Sequence, residues 1–104
     1  MSVIKITSDN FDTEVLHKEG LVLVDFSAES RCMPCRMLAP VLEEVADILD
    51  DVVIGKVDTD EDFELAVKFG IMSVPTLILF KDGSPLRQTV GYMPKEEVLS
   101  FIHS

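Results

Sequence analysis

The chain has 104 residues, 47% of them hydrophobic, and a formal charge of −10 from 19 acids against 9 bases. That length holds one domain with one core, so residues 1–104 are expected to form a single domain. Acids dispersed along the chain exclude a nucleic-acid-binding protein, which draws on clustered Lys and Arg, and strand-sized apolar runs exclude a membrane-spanning helix.

The opening "MSVIKITSDNFDTEV" lacks a basic start followed by an apolar run of roughly 7 to 15 residues, so no signal peptide is expected and the protein is expected to be cytoplasmic. The predicted elements begin with "VIKI", a short β-prone run. Ser8 or Asp9 is placed to cap a helix that turns Phe11, Val15 and Leu16 inward and stops at Gly20. "LVLVDF" is the near-continuous apolar run of a strand buried on both faces. After Cys32, the apolar residues Cys35, Leu38, Val41 or Leu42, Val45 and Ile48 or Leu49 recur at helical spacing, with a kink expected at Pro40.

"VVIGKV" predicts a third strand. The acids after it suit a helix start, and that helix is expected to place Phe63, Ala66, Val67 and Phe69 inward and to end at Gly70. "PTLILF" and "LRQTV" are strands four and five, joined by Lys81-Asp82-Gly83, and Pro94 opens a last helix through Val98, Phe101 and Ile102. The order is βαβαβα then ββα. Alternating strands and helices predict parallel pairing in the first half and the hairpin adds an antiparallel part, which together give an α/β fold with a central mixed sheet covered on both faces.

Cys32 and Cys35 are the only cysteines, two residues apart with Met33-Pro34 between them and Arg31 and Arg36 on either side. Two cysteines are too few for a disulfide framework, and such pairs in a reducing compartment more often serve catalysis or a metal. Disulfide exchange needs one thiolate to attack and a second thiol to resolve the mixed disulfide, and a CxxC at a helix start supplies both. There the unpaired amides and the helix dipole stabilise an anion on Cys32, while Cys35 lies one turn further in. A thiol lowered from about 8.5 to about 7 is about half ionised at neutral pH.

The Arg31 cation is placed to lower the Cys32 pKa further, or to point into solvent. Two other readings of the pair stay open. A zinc site wants four ligands, and beyond the thiols the chain offers only His17 and His103. Two inert buried thiols would act as small hydrophobes. Asp25, a lone acid in an apolar strand, is a strand-end polar residue or a functional carboxylate, because a buried unpaired acid is costly.

These residues closely resemble the thioredoxin family from about Val3 to Ile102. "VDF", "CxPCR" with "MLAP" after it, "KVDTD", "FGIMSVPTLILFKDG" and "VGYMPK" stand in that family's order and spacing. The resemblance implies the thioredoxin fold, with a central mixed five-stranded sheet flanked by about four helices, and a protein-disulfide reductase that needs no bound cofactor or metal. It implies Cys32 as nucleophile, Cys35 as resolving thiol, Asp25 as the buried aspartate that assists proton transfer, and Lys56 as the partner of that aspartate. Pro75 matches the family's cis proline beside the cysteines, and the backbone of Val74 would pair with an extended substrate segment. Met33, Pro34, Thr59, Ser73, Val74, Gly91 and Tyr92 match its substrate-contact surface. Gly91 serves either the close approach of a partner or a bend of the strand. Protein disulfides as substrates, a separate reductase of the thioredoxin reductase type as donor, and a monomer are the implied partners and state.

The chain also departs from the family. It has no tryptophan: Ser27 stands at the first aromatic position, Ser30-Arg31 stand where another tryptophan would be in a loop one residue longer, and Met33 replaces glycine. The lost aromatic shelf and the Arg31 charge act on recognition, and the residues around the thiolate act on redox poise. A dedicated donor to one enzyme, a higher-potential oxidant or isomerase, and a non-catalytic binding module are the competing functions.

Overall fold

The run that starts at Leu21 is apolar because its strand is covered on both faces. In the computed structural model, which describes residues 2–104, that strand lies at the centre of a five-stranded sheet of order β1-β3-β2-β4-β5. The elements are β1 (Ile4–Lys5), a π-type helical segment (Asp12–Leu16), β2 (Leu21–Ser27), α1 (Met33–Ile48), β3 (Val52–Asp58), α2 (Phe63–Lys68), β4 (Thr76–Lys81), β5 (Ser84–Val90) and α3 (Lys95–His103). β1 and β2 pair parallel with β3, whereas β4 runs antiparallel to both β2 and β5. The expected order and the expected mixture of pairings are both present.

Alternation along the strands sorts the core into two layers. Leu23, Ile54, Leu77 and Leu79 face Leu38, Leu42 and Val45 of α1 and Val98 and Ile102 of α3. Val22, Val24, Phe26, Ile78 and Phe80 face the other side, with Ile6, Phe11, Val15 and Leu65. Each fully buried side chain of this size contributes about 1.5 to 3 kcal/mol. Gly55 permits the crowding at the edge, since a Cβ there would stand 2.5 Å from the side chain of Ile6.

Two helical predictions change. Ser8 does not cap the first helical segment, because its amide and hydroxyl both donate to Asp62, at 2.6 and 2.7 Å. Asn10 instead accepts the Thr7 amide at 2.8 Å, and a short π-type turn follows Phe11. Asp62 also accepts from the Leu65 amide as the N-cap of α2, which fixes the rotation of that helix. Leu65 and Ala66 therefore turn inward, while Phe63 and Val67, four residues apart on the opposite side, are 71% and 61% exposed. Phe69, just past α2, packs its ring against Phe11, Phe26 and Phe80. α1 continues through Pro40 to Ile48.

Candidate active site

The segment before the cysteines is a closed turn. The Arg31 amide donates to the Ala28 carbonyl at 3.1 Å, and the Arg36 guanidinium donates to the Glu29 carbonyl at 2.8 Å. Cys32 consequently keeps its place at the helix start, as the N-cap of α1 with extended backbone. Its Sγ accepts the Cys35 amide at 3.2 Å, so a free amide of the first turn points at the sulfur. Pro34 lies in that same turn, where its missing N–H costs nothing.

The two sulfurs are joined as a disulfide, with Cα atoms 5.3 Å apart, inside the ordinary span for such a bond. Their surroundings differ. Cys32 is 9% exposed, whereas Cys35 is fully buried and its sulfur accepts the Ala28 amide, at 3.5 Å. An incoming sulfur can therefore reach Cys32 and not Cys35.

Asp25 lies on the sheet face that α1 covers, two residues beyond Leu23, and is fully buried. Neither of its carboxylate oxygens has a hydrogen-bond partner. Burial pushes its carboxyl up to about 7, against the Lys56 charge, which lowers it, and with a smaller upward push from Glu29. Asp25 can thus take or hold a proton near neutrality.

Lys56 is the register partner of Asp25 across β2 and β3, so both side chains leave the same sheet face. Its ammonium nevertheless forms an ion pair with Glu29. Lys56 reaches Asp25 through its field, not through a hydrogen bond. Arg31 is likewise committed elsewhere: its guanidinium grips Asp60 with three contacts of 3.0 to 3.2 Å, and the pair is largely exposed. The arrangement turns the cation onto a carboxylate at the rim.

The Val74–Pro75 peptide bond is cis, and the Val74 carbonyl oxygen lies 3.7 Å from Cys32 Sγ. Pro75 is held from behind by the Gly91 amide, which donates to its carbonyl at 2.8 Å. Gly91 has φ of +103°, and a Cβ there would meet nothing within 4 Å. Its backbone conformation, and not crowding within the chain, requires glycine.

The structure brings Arg31, Thr59, Ser73 and Val74 together along one groove. Met33, next to Cys32 in the chain, is 63% exposed, and Tyr92 follows Gly91 outside that groove. Two groove residues, Phe63 and Met72, escaped the sequence reading because helical spacing assigned the first to the core and nothing singled out the second. Glu29 escaped it too, although it is the only acid between Asp25 and Cys32.

His17 closes the first helical segment and His103 ends α3. Among the described residues, no group of three or more His, Cys, Asp or Glu is placed to hold a metal ion. Among the same residues, no helix is long and apolar enough to cross a membrane.

A CxxC disulfide at a helix N-terminus, one sulfur reachable and one buried, beside a cis-proline loop and in a fold that buries a carboxylate in the preceding strand, defines a thiol-disulfide exchange protein. The thioredoxin family model matches residues 2–104. The chain is 48% identical over 103 residues to a thioredoxin of Staphylococcus saprophyticus, covering 98% of this chain and 96% of that one. It is also 48% identical over 99 residues to thioredoxins of Staphylococcus haemolyticus and Staphylococcus aureus, covering 94% of this chain and 92% of each. The chain belongs to the thioredoxin family. It has the thioredoxin fold and is a thiol-disulfide oxidoreductase that reduces protein disulfides.

Proposed function

We propose that the protein is an electron carrier in which Cys32 attacks the substrate disulfide, Cys35 resolves the mixed disulfide, and Asp25 receives the Cys35 proton. The reduced pair carries two electrons. Cys32 thiolate forms a bond to one substrate sulfur and expels the other as a thiolate. Cys35 then loses its proton to Asp25 and attacks Cys32 Sγ, which releases the second substrate thiol and leaves the Cys32–Cys35 disulfide. A separate reductase, of the thioredoxin reductase type, returns the pair to the dithiol. The substrate segment lies extended along Val74, with Pro75 fixing that loop and with Met33, Pro34, Thr59, Ser73, Gly91 and Tyr92 around it.

The observation that carries this reading is the asymmetry of the pair. Cys32 receives an amide of the first helical turn and touches the surface, whereas Cys35 is sealed. The absent tryptophans and the Arg31–Asp60 pair on the rim favour a narrower partner set than that of a general carrier, in a cytoplasmic setting.

Trapping tests the assignment. Cys35→Ser should accumulate a mixed disulfide between Cys32 and disulfide-bearing substrates such as insulin, and Cys32→Ser should accumulate none. A stable adduct on Cys35 would reverse the roles. Comparable turnover of insulin and many unrelated disulfides with an ordinary thioredoxin reductase would remove the narrow-partner reading.

A further inference from the structure

Lys56 stands opposite Asp25 in the sheet register, on the same face, and yet its ammonium is paired with Glu29. Glu29 is well placed for this. It lies in the turn between β2 and α1, three residues before Cys32, and its own carbonyl is pinned by the Arg36 guanidinium at 2.8 Å. Backbone and side chain are thus each tied to one cation. The outcome is an aspartate that is fully buried, has no hydrogen bond on either oxygen, and has a lysine beside it that is engaged elsewhere.

We propose that Glu29 is a positioning residue for disulfide exchange: it holds the Lys56 ammonium in an ion pair off the Asp25 carboxylate, leaving Asp25 free to accept and return the Cys35 proton. This rests on the reading of Asp25 as the group that takes that proton. A lysine bonded directly to the carboxylate would stabilise its anion and make it a poorer base, whereas a proton acceptor works best when its own affinity lies near the operating pH.

The other surroundings of Asp25 leave Glu29 and Lys56 in control. Across β4 its register partner is Leu77, which is apolar. α1 covers this face with Leu38, and in the proposed exchange the Cys35 thiol of the same helix is the group that gives Asp25 its proton. Further out, Lys5 of β1, Asp58 of β3, Glu43 of α1 and Glu61 line the same cleft as Glu29 and Lys56, at the solvent side. Lys5 is itself paired with Glu61 at 2.8 Å.

Removing the Glu29 charge acts in one direction by two routes. The negative charge that raises the Asp25 proton affinity is lost, and Lys56 becomes free to turn onto the carboxylate. The test is a titration of the Asp25 side-chain carboxyl by carbon NMR in the intact, reduced protein, alongside the pH profile of insulin reduction. Glu29→Gln should lower the Asp25 midpoint by about half a pH unit or more and carry the pH profile down with it, while Glu29→Asp restores most of the shift. Lys56→Met should raise the midpoint. An Asp25 midpoint that stays in place in folded Glu29→Gln overturns the proposal, and so does a uniform loss of rate at every pH with no shift. Failure of the underlying reading looks different: Asp25→Asn would then leave the pH profile unchanged, whatever Glu29→Gln does to the Asp25 titration.

Discussion

Asp25 and Lys56 are register partners across β2 and β3, but the Lys56 ammonium pairs with Glu29 and both Asp25 oxygens are left without a hydrogen bond. The carboxylate therefore carries most of its burial cost uncompensated, which makes it both a proton acceptor and a liability for the fold.

The liability has a pH signature. The folded-state value of Asp25 is raised from 3.8 to about 7, so between those values the folded protein holds a proton that the unfolded chain has lost. Stability is fully present below the unfolded value and is lost as pH rises through the folded one. Asp25→Asn, which mimics the protonated acid, should match the parent in urea unfolding near pH 4. At pH 8 it should be more stable by roughly 4 kcal/mol. Equal stabilities at pH 8 would show that the buried charge is compensated.

Asp62 carries the opposite sign. The Ser8 hydroxyl holds its carboxyl below the usual carboxylate range, so its contribution is present above the unfolded value and lost as pH falls through the folded one. Asp62→Ala removes the N-cap of α2 along with both Ser8 bonds, and should cost about 1 to 2 kcal/mol at pH 7. The deficit should shrink towards pH 3, as followed by thermal unfolding.

Gly91 tests the support behind Pro75. A side chain at φ of +103° is strained wherever space is free, so Gly91→Val should cost about 1 to 3 kcal/mol. Hydrogen exchange of the Gly91-position amide, which donates to Pro75, reports whether the bond survives. A fully stable variant with an unchanged amide would show that the segment adapts.

Arg31 is held by Asp60 and is 60% exposed, so its charge is largely neutralised before it acts on Cys32. Arg31→Ala should leave the urea unfolding midpoint essentially where it is, because an exposed ion pair adds little to stability. It should also leave Cys32 alkylation by iodoacetamide at pH 7 within about twofold, whereas Asp60→Asn, which frees the cation, should speed it. A tenfold slowing in Arg31→Ala would instead make Arg31 an activator of the thiolate.

The strand runs were legible because burial on both faces leaves almost no polar position in "LVLVDF" and "PTLILF", and α1 because apolar residues recur at its period. The cysteine pair at a helix start was legible for the same reason. What the sequence hid depends on contacts between distant segments. Ser8 looks like a cap until Asp62, 54 residues away, takes both its donors. Phe63 and Val67 look like core until that same aspartate sets the rotation of α2. The resemblance named Lys56 as the partner of Asp25; the register sets the two opposite each other, and the ion pair that the long side chain makes is with Glu29, which no local pattern announces. Arg31 meets Asp60 across 29 residues of sequence, so no local pattern announces the pair.

The carrier reading is tested most directly by equilibrating the purified protein in dithiol/disulfide buffers of graded potential, then alkylating free thiols and reading Cys32 and Cys35 by mass. The account predicts one two-electron transition of an intramolecular disulfide with a midpoint near about −270 mV, the potential of a reducing carrier. A midpoint near about −180 mV or above would make the protein an oxidant or isomerase, and failure to form the intramolecular disulfide would contradict the account outright.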